Sequence, residues 1–97
     1  MKEPATIERT IDAVAPYLRL HVADLEPSLS TWRIFPLREL AERTGTSVAM
    51  LGKLRKRYKR AIAQSLTPGA DLQFEVAEQS YYGRAALTIR RLKPKVA

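Results

Sequence analysis

Residues 37–60, LRELAERTGTSVAMLGKLRKRYKR, carry two helix-period patterns with only a four-residue turn between them. In the first, Leu37, Leu40 and Ala41 fall at steps of three and one, on one face of a two-turn helix running to Arg43. In the second, Val48, Leu51, Leu54, Tyr58, Ala61 and Ile62 mark the apolar face of a helix from about Ser47 to about Gln64. The turn is Thr44-Gly45-Thr46-Ser47. Gly45 suits the left-handed backbone that follows a helix end, and Thr46 or Ser47 can cap the next helix. Two amphipathic helices joined this tightly must cross at close range and share one core. The rest of the chain has to supply the other walls of that core.

Upstream, Ile7, Ile11, Val14, Leu18, Val22 and Leu25 define a further helical face over residues 6–25. Thr6 can cap its start and Glu8 suits its first turn. Pro16 removes a backbone donor inside this pattern, so the segment is either one kinked helix or two helices. TWRIF, residues 31–35, is short and rich in β-favouring residues; Pro36 closes it. Trp32, beside Ile34 and Phe35, is assigned to the core. Pro68-Gly69 is a strong stop signal for the second helix.

Leu72, Phe74 and Val76 then alternate with polar residues, as do Ala85, Leu87 and Ile89 with Ala86, Thr88 and Arg90. Two such strands around a polar loop, AEQSYYGR, make a β-hairpin over residues 71–92, with 93–97 as a loose tail. The fold class is α+β, and residues 1–97 form a single domain of a size that buries a modest core unaided. Cysteine is absent and there is one histidine, so a disulfide frame, a thiolate metal site and a multi-histidine site are ruled out. No apolar run reaches membrane-spanning length, and MKEPATIERT lacks the apolar core of a secretion signal. The expectation is a cytoplasmic, nucleoid-associated protein that needs no cofactor, metal, membrane or small-molecule ligand.

Charge is unevenly spread. Residues 1–42 hold five bases and seven acids, whereas residues 43–97 hold twelve bases and three acids. Eleven of those bases lie in two acid-free runs, Leu51–Arg60 and Arg84–Lys95. Clustered positive charge is the electrostatic footprint of a polyanion partner. No nucleophile–base pair, glycine-rich phosphate loop or paired-carboxylate pattern is present, and Glu39 and Glu42 read as exposed helix charges, so the chain is not read as an enzyme.

The order helix, short strand, helix, tight turn, basic helix, hairpin resembles the winged helix-turn-helix superfamily over roughly residues 6–93. The specific part is Leu37 to Tyr58. The motif takes an apolar residue followed by alanine in its first helix, here Leu40 and Ala41. It takes glycine in the turn, here Gly45, and apolar residues six and nine positions later, here Leu51 and Leu54. Thr44 and Thr46 depart from it, standing where apolar residues are usual. The resemblance implies a three-helix core with a C-terminal hairpin wing. It also implies that the second helix of the motif enters the major groove of double-stranded DNA. A tight break before the basic helix then makes sense: it sets the crossing angle at which that helix projects.

By the same resemblance, Ser47, Val48, Ala49, Gly52, Lys53 and Lys56 face base edges, Lys53 and Lys56 being suited to guanine acceptors. Arg57 and Arg60, with Arg55 and Lys59, lie toward phosphate. Ser80, Tyr81, Tyr82 and Arg84 belong to the wing. Arg38, Arg43 and Arg90 are candidate contacts to the DNA backbone, Arg90 and its neighbour Arg91 pointing to opposite faces of the strand. Gly52 weakens a helix interior; on the outward face it either permits close approach of a DNA backbone or base edge or is neutral drift. Apolar residues between Val14 and Leu29 exceed what three helices need and could form a homodimer interface. The implied function is transcriptional regulation, most often repression. Alternatives are an architectural or accessory factor in recombination, replication or partition, a protein-docking module on the same fold, and RNA binding.

Overall fold

The computed structural model describes residues 3–67 and 73–93. The sequence expectations for Pro68-Gly69, for Leu72 and for the tail beyond Lys93 lie outside them. The chain is α+β, with four helices and one three-stranded antiparallel sheet among the described residues.

Helix α1 (Glu3–Val22) is one continuous helix that passes through Pro16, which decides between the two alternatives the sequence leaves open. Pro16 lies on the exposed side of the helix, as does Asp12 four residues earlier, whose carbonyl loses its partner there. The helix begins before Thr6, so Thr6 is not its cap; the Thr6 carbonyl accepts from Thr10 Oγ1 at 2.8 Å. Ile7, Val14, Leu18 and Val22 are buried along one stripe, with Leu25 just past the helix end. These residues serve the molecule's own core. Leu20 and Leu29 are the large apolar residues of this region that stay exposed.

β1 (Arg33–Pro36) leads directly into α2 (Leu37–Thr44). Leu37, Leu40 and Ala41 are buried, as the periodicity requires. Gly45 follows with φ 69° and ψ 29°, its N–H donating to the Ala41 carbonyl. The two unusual threonines satisfy each other: Thr44 Oγ1 bonds the Leu40 carbonyl at 2.7 Å and lies 2.8 Å from Thr46 Oγ1. Their hydroxyls therefore need no water in a half-buried turn.

The basic helix is not a single rod from Ser47 to Gln64. It comprises α3 (Val48–Arg57) and α4 (Lys59–Leu66), separated by Tyr58 at φ −125° and ψ 29°. The flanking bonds survive, Tyr58 N–H to Leu54 O and Ile62 N–H to Tyr58 O, so one residue absorbs the bend. A straight helix over 47–64 would run for about 27 Å and carry its second half past the sheet. The bend instead returns Ile62, Ala63 and Leu66 to the core, where α4 meets α1 and β2.

β2 (Phe74–Tyr81) and β3 (Arg84–Arg91) form the hairpin, and β3 is central in the order β1-β3-β2. The segment AEQSYYGR is not a loop. Its first five residues continue β2, and only Tyr82 and Gly83 turn the chain. Both have positive φ, 51° and 75°, as a type I′ hairpin turn requires. Residues 78–81 lose the buried-exposed alternation because this end of the hairpin projects beyond the core and is wet on both faces. Phe35, Phe74, Val76, Leu87 and Ile89 are the sheet's buried contribution to the core.

Trp32 is not a core residue. It is half-buried, and its ring lies under the Arg90 guanidinium, 4.7 Å from the ring centroid. Arg91 closes the opposite side. It lies over the Phe74 ring, donates to the Leu25 carbonyl, and reaches the carbonyls of Val22 and Ala23 at 3.4 Å. A guanidinium on the last carbonyls of α1 both satisfies them and complements the negative helix end.

Candidate nucleic-acid interface

Ser47 takes extended backbone before α3, and its Oγ accepts from the Met50 N–H at 3.1 Å. That oxygen is thus committed to starting the helix, although its hydroxyl hydrogen can still point outward. Leu51 and Leu54 anchor α3 with 3% and 1% exposure. Their phase fixes what faces solvent. Val48, Ala49, Lys56 and Arg57 are exposed, while Gly52 and Lys53 are half-buried. Arg60 is exposed too, but it belongs to α4 beyond the bend, so it does not share a straight face with Lys53 and Lys56.

Arg55 has a different role from the one its sequence position suggests. It bridges α3 to the hairpin. Its Nη1 donates to the carbonyl of Ala86 at 3.2 Å and to that of Gln79 at 3.4 Å. Gln79 and Ala86 are direct partners across β2 and β3, so one guanidinium holds both strands. Its Nη2 lies 3.8 Å from Glu78 Oε2, and its buried Nε has no partner. Immediately beyond this clamp come Ser80 and Tyr81 at the end of β2, Tyr82 in the turn and Arg84 at the start of β3, all exposed. Tyr81 and Arg84 are register partners, and the rings of Tyr81 and Tyr82 meet edge to face at 4.4 Å.

Arg38 and Arg43 are exposed on α2, with Arg43 in its last turn, where a cation is favoured. Arg90 is not an outward cation. Its Nε donates to Glu75 Oε1 at 2.7 Å, further bonds reach Glu75 and the Leu29 carbonyl, and it stacks on Trp32. Each of its three guanidinium nitrogens is thus already engaged within the fold, which weighs against the backbone contact expected of it. Of the eleven cations in the two basic runs, Arg55, Arg90 and Arg91 are thus built into the structure. Lys56, Arg57, Arg60 and Arg84 remain exposed on α3, α4 and the hairpin end.

The resulting surface is a basic helix face beside a projecting, aromatic-tipped hairpin, the two tied by Arg55. Such a surface can hold a polyanion by charge and read its shape with a helix. Sequence reasoning missed the clamp: Arg55 sits in an acid-free run, and Glu78 and the two carbonyls come from strands more than twenty residues away. Among the described residues no group of three or more His, Cys, Asp or Glu is placed to hold a metal ion, and no helix is long and apolar enough to cross a membrane. No family model matches this chain, and neither a curated protein nor a solved structure does.

Proposed function

We propose that this chain is a winged helix-turn-helix protein that binds double-stranded DNA, with α3 in the major groove and the hairpin as a wing on the minor groove or backbone. Three features support the reading. The element order and the β1-β3-β2 sheet are compatible with that layout. The α2–Gly45–α3 corner has the left-handed glycine and the Ser47 cap that make α3 project. The observation that carries the proposal is the third: Lys56 and Arg57 on α3 are exposed, and Arg55 beside them fastens the hairpin that bears Arg84. Helix and wing thereby form one continuous surface with phosphate-seeking groups on both parts.

The role that follows is transcriptional regulation, with repression as its simplest form, since a bound helix and wing block a site without further machinery. An architectural or accessory factor would use the same surface. A competition experiment tests the binding claim. A labelled 24-base-pair DNA duplex is displaced by unlabelled duplex DNA, duplex RNA or single-stranded DNA. Displacement by duplex DNA well ahead of the other two is expected. Equal displacement by duplex RNA would overturn the reading, because A-form RNA offers no major groove wide enough for α3.

A further inference from the structure

Two positions on this surface weaken the fold, and nothing inside the molecule accounts for either. Gly52 lies within α3, where glycine is a poor helix former. A Cβ built there would meet nothing within 4 Å. Alanine would therefore fit and stabilise the helix. Tyr82 holds φ 51° at the first position of the type I′ turn, where L side chains other than asparagine and aspartate are strained. The residue is 87% exposed, and its ring meets only that of Tyr81, also on the surface, among the ring contacts of the described residues. Asparagine would fit the same backbone with less strain. At both sites a better-folding residue collides with nothing in the chain.

We infer that Gly52 and Tyr82 are the two points of closest contact with duplex DNA. The inference rests on the DNA-binding reading above and says where the duplex touches. At Gly52 the missing side chain lets the DNA surface come to the helix backbone. Lys53 adjoins it and Lys56 lies one turn further on, so the approach is toward a phosphate-lined wall. At Tyr82 the ring, set out from the hairpin by the turn, lies against sugar or base through its apolar face. A local cost in stability with no compensating contact inside the fold is a mark of positions that binding uses.

The test uses the full chain and compares wild type, Gly52→Ala, Tyr82→Asn and Tyr82→Phe. Thermal melting is followed by circular dichroism, and affinity for a random-sequence 24-base-pair duplex is followed by fluorescence anisotropy. Gly52→Ala and Tyr82→Asn are each expected to melt a few degrees higher than wild type. Each is expected to bind the duplex roughly tenfold more weakly, a factor of the size that one lost interface contact produces. Tyr82→Phe is expected to bind like wild type, since the ring makes the contact. A higher melting temperature with unchanged affinity would overturn the assignment at that position. A lower one would also overturn it, by showing that the fold itself needs the residue. A tenfold loss in Tyr82→Phe would overturn the ring contact in favour of the hydroxyl. Wild type is measured first. If it fails to bind duplex DNA, the DNA-binding reading falls before any variant is compared, and this inference falls with it.

Discussion

Arg55 on α3 donates to the Ala86 carbonyl on β3 at 3.2 Å, and this bond, with its companion to Gln79, fixes the hairpin to the helix. Helix and hairpin already pack on a shared core through Leu51, Leu54, Val76 and Leu87, and Arg55 adds a direct polar link between them. The arrangement also explains Glu78, an acid in a basic neighbourhood: it faces the same guanidinium.

Arg55→Met keeps the aliphatic stem and removes the donors. It should cost about 1–2 kcal/mol, since charge-assisted bonds contribute more than neutral ones but the Glu78 pair is partly exposed. The clearer sign is local. Amide hydrogen exchange should speed up in residues 77–87 and stay unchanged in α1. Uniform acceleration across the chain would mean that Arg55 stabilises the whole core and not the hairpin's attachment.

The helix phase has its own test. Leu51 is buried and Val48 is 47% exposed, although both lie on the apolar side of the sequence pattern. Leu51→Ala should destabilise the protein by about 2–5 kcal/mol, as buried leucines do. Val48→Ala should fall within about 0.5 kcal/mol of wild type. Chemical denaturation of both variants checks this, and similar losses would show that α3 is rotated from the orientation described.

Arg84 and Arg90 look alike in the sequence, yet the structure separates them. Arg90 is engaged with Glu75, Leu29 and Trp32, whereas Arg84 is exposed beside the turn. Arg84→Ala should weaken duplex binding several-fold and leave the melting temperature within error. Arg90→Ala should lower the melting temperature while changing the intrinsic affinity of the folded protein little. Reversed results would return Arg90 to the interface and remove the wing's cation from it.

Lys53 distinguishes reading a base from holding a phosphate. On a selected site, Lys53→Ala should cost about 1–3 kcal/mol in binding if it contacts guanine. The matching measurement on random duplex should then show a smaller loss. Equal losses on both would make Lys53 a phosphate contact with no sequence information.

The core was legible in the sequence because it is periodic. Leu40, Ala41, Leu51 and Leu54 are buried, Gly45 is left-handed, and Ser47 is the cap. What stayed illegible depended on distant partners. The bend at Tyr58 has no glycine or proline to announce it; it answers to where α1 and β2 lie. The full length of β2 is hidden in the sequence because alternation disappears once both faces of a strand meet water. Trp32 reads as core from its neighbours Ile34 and Phe35, but it serves as a platform for Arg90, a residue 58 positions away. The charge runs were legible as composition and not as surface, because their partners Glu75 and Glu78 and several backbone carbonyls are supplied by other segments.

The most direct test of duplex DNA binding is fluorescence anisotropy on random-sequence double-stranded DNA across a salt series, followed by sequence selection from the bound pool. Phosphate contacts by Lys53, Lys56, Arg57, Arg60 and Arg84 would give a log–log salt slope of roughly −4 to −5. The expected result is that steep slope together with an enriched motif, since the proposed docking of α3 puts it against bases as well as phosphates. No binding at low salt would contradict the account and leave the basic face of α3 to a protein partner.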